Sequence, residues 1–213
     1  HIAWNGARGI VMSDGPWQLA VIDPPWRWQA WGKRNNREVP YETMTIDDLA
    51  ATDICSLLAP DAVVLLWVID PMLPHAMRIV EAWGLKYATV GFYWTKYRPS
   101  GAEHIGTGYY TRANPEQAWL LVRGNGLPRI DQSVRRWLHA PVGAHSQKPD
   151  EFFARAARLF GAVSKVEIFA RTRRPGWDAL GREIDGRDIR DVAGTSTKRF
   201  ATTTCRPDDA GDV

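Results

Sequence analysis

Asp23-Pro24-Pro25-Trp26 follows the apolar run "WQLAVI", placing a carboxylate, two rigid imino acids and a flat ring at what reads as a strand end. Each proline fixes φ and has no N–H, so the chain is held rigid there while its carbonyls stay free to accept hydrogen bonds. One carboxylate and one carbonyl form a preorganised pair of acceptors, complementary to an amino group with two hydrogens. Trp26 adds an apolar face on which an aromatic amine could stack. Such a set suits methylation of a conjugated amine, for example the 6-amino group of adenine. That lone pair is delocalised into the ring until hydrogen bonds from both N–H groups draw the nitrogen toward tetrahedral geometry. The proton can leave after the methyl has moved, so no strong base is needed. Catalysis is then positioning and electrostatics, with attack in line with the breaking S–C bond. A plain Pro-rich turn would show the same four residues.

The elements that must carry this motif alternate between strand and helix patterns along the chain, which is the signature of an α/β sheet with helices on both faces. "WQLAVID" (17–23) reads as a buried parallel strand. Thr45 with Asp48 makes a capping-box start for a helix carrying Ile46, Leu49, Ile54 and Leu57 or Leu58. "AVVLLWVI" (62–69) is apolar throughout, as a strand covered on both faces would be. A helix over 71–83 is expected to stop at Gly84, followed by strands "YATVGFYWTK" (87–96) and "QAWLLVR" (117–123). Lys148-Pro149-Asp150-Glu151 opens a helix with the buried stripe Phe152, Ala156, Leu159 and Phe160. "SKVEIFAR" (164–171) is the last strong strand, with Glu167 and Phe169 expected on one face and Arg171 at its carboxyl end. Ligands of open α/β sheets bind beyond the carboxyl ends of the strands, where Asp23 and Arg171 fall.

A chain of 213 residues suits one domain, with 45% hydrophobic and 24% charged residues supplying an ordinary core. We assign residues 1–186 to that domain and expect 187–213, rich in Thr, Ser, Asp and Arg, to be a flexible tail. Cys55 and Cys205 lie outside any metal-ligand spacing, which argues against a zinc site and fits a reducing compartment. His104 and His145 read as loop residues without metal partners. The longest apolar run is far below the ~20 residues of a membrane span, so a cytoplasmic protein with no membrane partner is the expectation. The net charge of +3 permits a polyanionic partner without requiring one.

The motifs "DPPW", "VPYETMTIDDL", "LLWV", "AWG", "NPEQAWLLVRG", "HSQKPDEFF" and "KVEIFAR…GWDALGREID" occur in one order over residues 17–186. In this the chain resembles the adenine-N(6) methyltransferases related to the catalytic subunit of the eukaryotic mRNA methyltransferase, a family with many bacterial and phage members. The resemblance implies a Rossmann-like methyltransferase fold, α/β with a mostly parallel central sheet, S-adenosylmethionine (SAM) as donor and no metal. It also implies a permuted order in which the catalytic motif precedes the strand that binds the cofactor ribose. Carried over, Asp23, Pro24, Pro25 and Trp26 form the catalytic motif, with Asp23 close to both the target amine and the methionine part of SAM. Lys148 would bind the SAM carboxylate and Glu167 the ribose hydroxyls, with Phe169, Arg171 and Glu183 beside the nucleoside. Two departures stand out: Arg182 occupies the place where relatives commonly have Asn, and "TRRPG" (172–176) is shortened.

The chain holds 11 tryptophans, several in polar sequence. Trp26, Trp28 and Trp31 interleave with Arg27, Lys33, Arg34 and Arg37, and the pattern recurs in "FYWTKYR" (92–98) and "GYYTR" (108–112). Rings for an extruded base and cations for phosphates are what a base-flipping enzyme needs. We therefore take Trp26, Tyr41, Trp67, Trp94, Lys96, Arg34, Arg37 and Arg112 as candidate substrate-binding residues. Alternation directs Tyr93 and Trp94 to opposite faces, so one of them finishes a strand. The leading reading is methylation of adenine in DNA, with RNA as the alternative substrate. Methylation of another conjugated amine, such as cytosine or a protein glutamine amide, and a non-catalytic nucleic-acid-binding subunit are the competing readings. Target preference would have to come from loops, the tail or a second subunit, in a homodimer or with a partner subunit.

Overall fold

Strand β1, Trp17–Ile22, is buried at five of its six positions, so both faces must be covered and the strand belongs in the middle of a sheet. The computed structural model describes residues 15–27, 42–106, 108, 110–143 and 147–193 and places it there. The further strands are β2 (Leu58–Val68), β3 (Lys86–Tyr97), β4 (Glu116–Arg123), β5 (Trp137–Pro141), β6 (Lys165–Ile168) and β7 (Asp178–Leu180). Their order is β5-β3-β4-β2-β1-β6-β7. β1 pairs in parallel with β2 and β6, β6 with β7 and β3 with β5. Only β4 runs against its neighbours, β2 and β3. The result is the expected Rossmann-like, mostly parallel sheet.

Helices α1 (Ile46–Ala51) and α2 (Leu73–Ala82) cover one face, where they pack with Ile22, Leu66, Leu121 and Ile168. Helix α3 (Asp150–Phe160) covers the other over Val21, Leu65, Trp67, Phe92 and Trp94. A one-turn α4 (Arg182–Asp185) follows β7. The capping box is formed: Thr45 Oγ1 accepts from Asp48 N–H at 3.1 Å and Asp48 Oδ2 accepts from Thr45 N–H at 3.3 Å.

The helix begun at Ile46 does not run on through Leu57. Thr52 Oγ1 donates to Asp48 O at 2.9 Å, and Asp53 Oδ1 accepts from Ser56 N–H at 3.1 Å to start a separate 3-10 turn, Ile54–Leu57. Short polar side chains here compete with the helical ladder. Leu58 opens β2 instead. On α3 the buried stripe takes Phe153, whose ring meets Trp177 at 5.3 Å, while Leu159 is only partly buried. Strands β5 and β7 are too short, at five and three residues, to stand out as sequence patterns. Packed chain continues past Arg187, with Ile189 at 4% and Ala193 at 1% exposure in the α1/α2 layer; residues 194–213 lie outside the described residues. Cys55 is buried. Among the described residues no helix is long and apolar enough to cross a membrane.

Candidate active site

From β1 the chain steps to β2 on one side of it, and the later β6 and β7 build on the other. The seam between β1 and β6 is therefore the topological switch point, where strand ends diverge and leave a crevice. A cavity of about 660 Å³ lies there, lined by Asp23, Pro25, Lys148, Glu167, Phe169, Arg171, Arg174 and Glu183 among others. Asp23 stands one residue beyond β1, and Val21 pairs with Glu167 across the seam, so the two acids come from adjacent strand ends.

Four charges alternate away from the cavity floor. Lys148 Nζ donates to Asp23 Oδ2 at 2.7 Å and lies 3.4 Å from Glu116 Oε2, whose other oxygen accepts from Lys96 Nζ at 2.8 Å. Lys148 is 7% exposed and sits over the Trp67 ring at 5.2 Å. Burial would drive Lys148 toward neutrality, but Asp23 and Glu116 outweigh it and raise its pKa above the usual lysine value. Burial likewise works against the Glu116 anion, yet Lys148 and Lys96 overcome it and hold that carboxyl below the usual range. At Asp23 burial wins over Lys148 and the carboxyl is raised. Its side chain keeps 31% exposure because it forms the cavity floor, open on one side and enclosed by protein elsewhere. Glu116 has no counterpart in the sequence reading, although "NPEQ" contains it. As the first residue of the antiparallel β4 it reaches the carboxyl edge from the opposite direction.

Glu167 is 9% exposed, and its Oε2 has no hydrogen-bond partner. Arg174 Nε is 3.2 Å away, an ion pair by distance but misaligned for a hydrogen bond, and it too has no partner. Sequence reasoning assigned nothing to Arg174. Phe169 breaks the expected alternation: β6 ends at Ile168, and Phe169 adopts φ +64, a left-handed conformation that costs energy for a non-glycine and is often found at ligand sites. Arg171 and Glu183 face each other at 3.5 Å on the cavity wall. Arg182, in the unusual position, bridges Glu42 and Asp188.

The aromatic candidates lie elsewhere. Trp26 is 6% exposed in the α1/α2 layer, and its indole N–H donates to Trp67 O at 3.2 Å, so in this structure its face is core and not an open platform. Trp67 and Trp94, at 2% and 1% exposure, point under α3 because they sit on its side of central strands. Tyr93 faces the opposite way and is exposed, as alternation requires. Lys96 is taken up by Glu116, and Arg112 is exposed in the loop before β4. The proline carbonyls are partly engaged: Pro24 O accepts from Trp26 N–H at 2.8 Å and Pro25 O from Met44 N–H at 2.9 Å, which leaves each one lone pair. Trp28, Trp31, Lys33, Arg34, Arg37, Tyr41 and His145 lie outside the described residues.

The sequence model of the MT-A70 family matches residues 17–183, a span holding the whole sheet. The chain is similar to the type II methyltransferase M.MunI of Mycoplasma sp, with 32% identity over 194 residues, 81% of this chain and 80% of that protein. It is 27% identical to an MT-A70-like N(6)-adenosine-methyltransferase of Arabidopsis thaliana, covering 85% of this chain and 24% of that protein. A third likeness, at 29% identity, is to the N6-methyladenosine RNA methyltransferase MTA1 of Pyricularia oryzae, over 83% of this chain and 50% of that protein.

Proposed function

The chain belongs to the MT-A70 family, and from that premise we propose that it transfers a methyl group from SAM to the 6-amino group of adenine in DNA. The observation that carries this reading is Asp23 on the cavity floor, held by buried Lys148 and facing a second acid, Glu167, across the switch point. The cavity suits a nucleoside cofactor on its own terms, because an acid at a strand end, Glu167, stands on its wall where nucleotide folds hold ribose hydroxyls.

In this reading Glu167 holds the ribose, Lys148 the methionine carboxylate and Asp23 the methionine amine, with Phe169, Arg171 and Glu183 along the nucleoside. The cofactor supplies a methyl on a sulfonium, an electrophile that no side chain provides. The chain's own part is to orient the amine. Asp23 accepts one N–H, and the spare lone pair of an adjacent proline carbonyl accepts the other. Lys148 keeps the Asp23 carboxylate in place and opposes its protonation, while Glu116 holds Lys148 from behind. The short, twice-bonded Pro24-Pro25 turn keeps those acceptors from following the amine as it moves.

DNA is assigned on the likeness to a type II methyltransferase over most of both lengths; RNA is supported by the relatives whose names specify adenosine or RNA, of which this chain spans a quarter to a half. Incubation with labelled SAM and matched DNA and RNA oligonucleotides, single- and double-stranded, should give N(6)-methyladenine preferentially in DNA. Preference for RNA would overturn the polymer assignment alone. Asp23→Ala should lower turnover at least ~100-fold, as loss of preorganised charge does, with an unchanged melting cooperativity. Near-normal turnover by a folded variant would remove Asp23 from the mechanism.

A further inference from the structure

Resting on the reading of this chain as a nucleic-acid methyltransferase, we propose that the exposed face of β3 and β5, carrying Tyr93, Tyr97, Trp137 and His139, is a stacking platform for unpaired nucleotides that flank the target adenine.

Strand β5 closes one end of the sheet and runs parallel to β3. Its burial alternates: Leu138 and Ala140 lie under α3, while Trp137 and His139 are exposed on the opposite face. Register places Trp137 beside Tyr93 and His139 beside Thr95, so the side chains of that face form one band ending at Tyr97. No helix covers the band, since Trp137 is 65% and Tyr93 39% exposed. A tryptophan left this open beside other open rings is the kind of patch that a soluble domain keeps for a partner.

The band is also preorganised. Trp137 Nε1 donates to Thr95 Oγ1 at 2.8 Å, and His139 Nδ1 meets the same hydroxyl at 3.1 Å. Ring centroids of Tyr97 and His139 lie 4.6 Å apart, and those of Trp137 and His139 6.2 Å. With its indole N–H satisfied inside the protein, Trp137 has only its ring face to offer, which selects stacking over hydrogen bonding. Addition of a partner strand to the edge is closed off here. Arg155, held by Glu151 at 2.8 Å, donates through Nη1 to Trp137 O at 2.7 Å and to Arg135 O at 3.1 Å, while Arg136 O between them turns inward to Tyr93 N–H of β3. The outward carbonyls are therefore occupied, and a partner is left with the face.

Charge decides which partner. Exposed arginines border the band: Arg135 ahead of β5, Arg98 after β3 and Arg112 in the loop joining β3 to β4, against Glu103, whose backbone bridges to Tyr97. A second copy docked face to face would bring like-charged arginines together. A single strand of nucleic acid instead brings flat bases to the rings and phosphates to the arginines. The position fits as well. β3 and β5 run in the direction of β1, so they end on the sheet edge where Asp23 stands. β5 is four strands along from β1, or ~19 Å at ~4.8 Å per strand, which a single strand rising ~3.4 Å per nucleotide covers in about five or six nucleotides.

The test has to read base faces apart from phosphates. Titrations would compare a single-stranded oligonucleotide long enough to span that distance, the same strand with abasic sites in place of the bases flanking the target adenine, and the corresponding duplex, whose base faces are already stacked. The wild-type protein should bind the intact strand ~5–100-fold more tightly than the abasic one, the worth of stacking one base. Trp137→Ala should lose most of that preference while its affinities for the abasic strand, the duplex and S-adenosylhomocysteine stay as they were. Trp137→Phe keeps a ring and should retain most of the preference. Equal binding of intact and abasic strands by the wild type would overturn the inference. So would a loss in Trp137→Ala that is the same for both strands, because the ring would then serve only the fold. A dimer that Trp137→Ala turns into a monomer on sedimentation, with strand binding unchanged, would make the face an interface between copies. Binding of S-adenosylhomocysteine without binding or methylation of any nucleic acid would instead defeat the methyltransferase reading and the platform with it, whereas adenine methylation that is indifferent to Trp137 and to the flanking bases would defeat the platform alone.

Discussion

Glu167 shows what a buried acid costs a fold. Burial pushes its carboxyl up to about 7 from the usual 4.5, with Arg174 pulling it down, Asp23 adding to the rise and Lys148 opposing it. The folded chain therefore keeps a proton that the unfolded chain releases between those two values. A carboxyl raised in this way contributes stability that is full below the unfolded pKa and lost as pH climbs through the folded one. Glu167→Gln keeps the shape and removes the titration. In the ligand-free protein the variant should match the wild type near pH 4.5 and exceed it at pH 8 by about 1–3 kcal/mol. Asp23, also raised, contributes a slope of the same sign in both proteins. Melting curves of the two proteins across that range read it directly, and a difference independent of pH would show that the Glu167 carboxyl is not held out of its ionised form.

At the scale of elements the site depends on how closely β7 and α4 follow β6. A Cβ on Gly181 would lie 2.3 Å from Ala170 O and 2.8 Å from Ala170 N, and Ala170 N–H is itself tied to Leu180 O at 2.9 Å. No flexible side chain can yield there, so only backbone movement relieves the clash. Gly181→Ala should destabilise by about 1–3 kcal/mol, as overpacking does, seen as a lower urea midpoint with an unchanged slope. It should also weaken S-adenosylhomocysteine binding, because Glu183 rides on α4 and meets Arg171 across the cavity. Binding at full strength in a destabilised variant would show that α4 is not part of the cofactor wall.

Across the whole molecule a net charge of +3 is too small to hold a polyanion by itself, so local cations must do so. The described cations near the site are committed: Lys148 and Lys96 to acids, Arg174 to Glu167 and Asp150. Phosphate binding is therefore expected from the basic segment that follows Trp26 in the sequence. Arg34→Ala with Arg37→Ala should weaken nucleic-acid binding and reduce the logarithmic salt slope by roughly 0.7–0.9 for each phosphate that is no longer neutralised, with cofactor affinity retained. Titrations at several salt concentrations measure the slope; an unchanged value would assign the phosphates to Arg112 or to Arg135 and Arg136, which are exposed.

Much of this architecture is local in origin and legible in the sequence alone. The burial of β1 and β2 follows from unbroken apolar runs, the start of α1 from Thr45 and Asp48, and the start of α3 from Pro149 and two acids. Asp23 could be placed because a strand followed by Asp-Pro-Pro marks its own end. Trp26 could not be judged from its neighbours, since burial is set by what packs on a ring and not by the loop-like sequence beside it. Glu116 and Arg174 were beyond reach for a different reason. The reversal of β4 and the turn after β6 bring residues far apart in the chain onto one strand edge, and a hydrogen-bond deficit exists only once such groups are enclosed together.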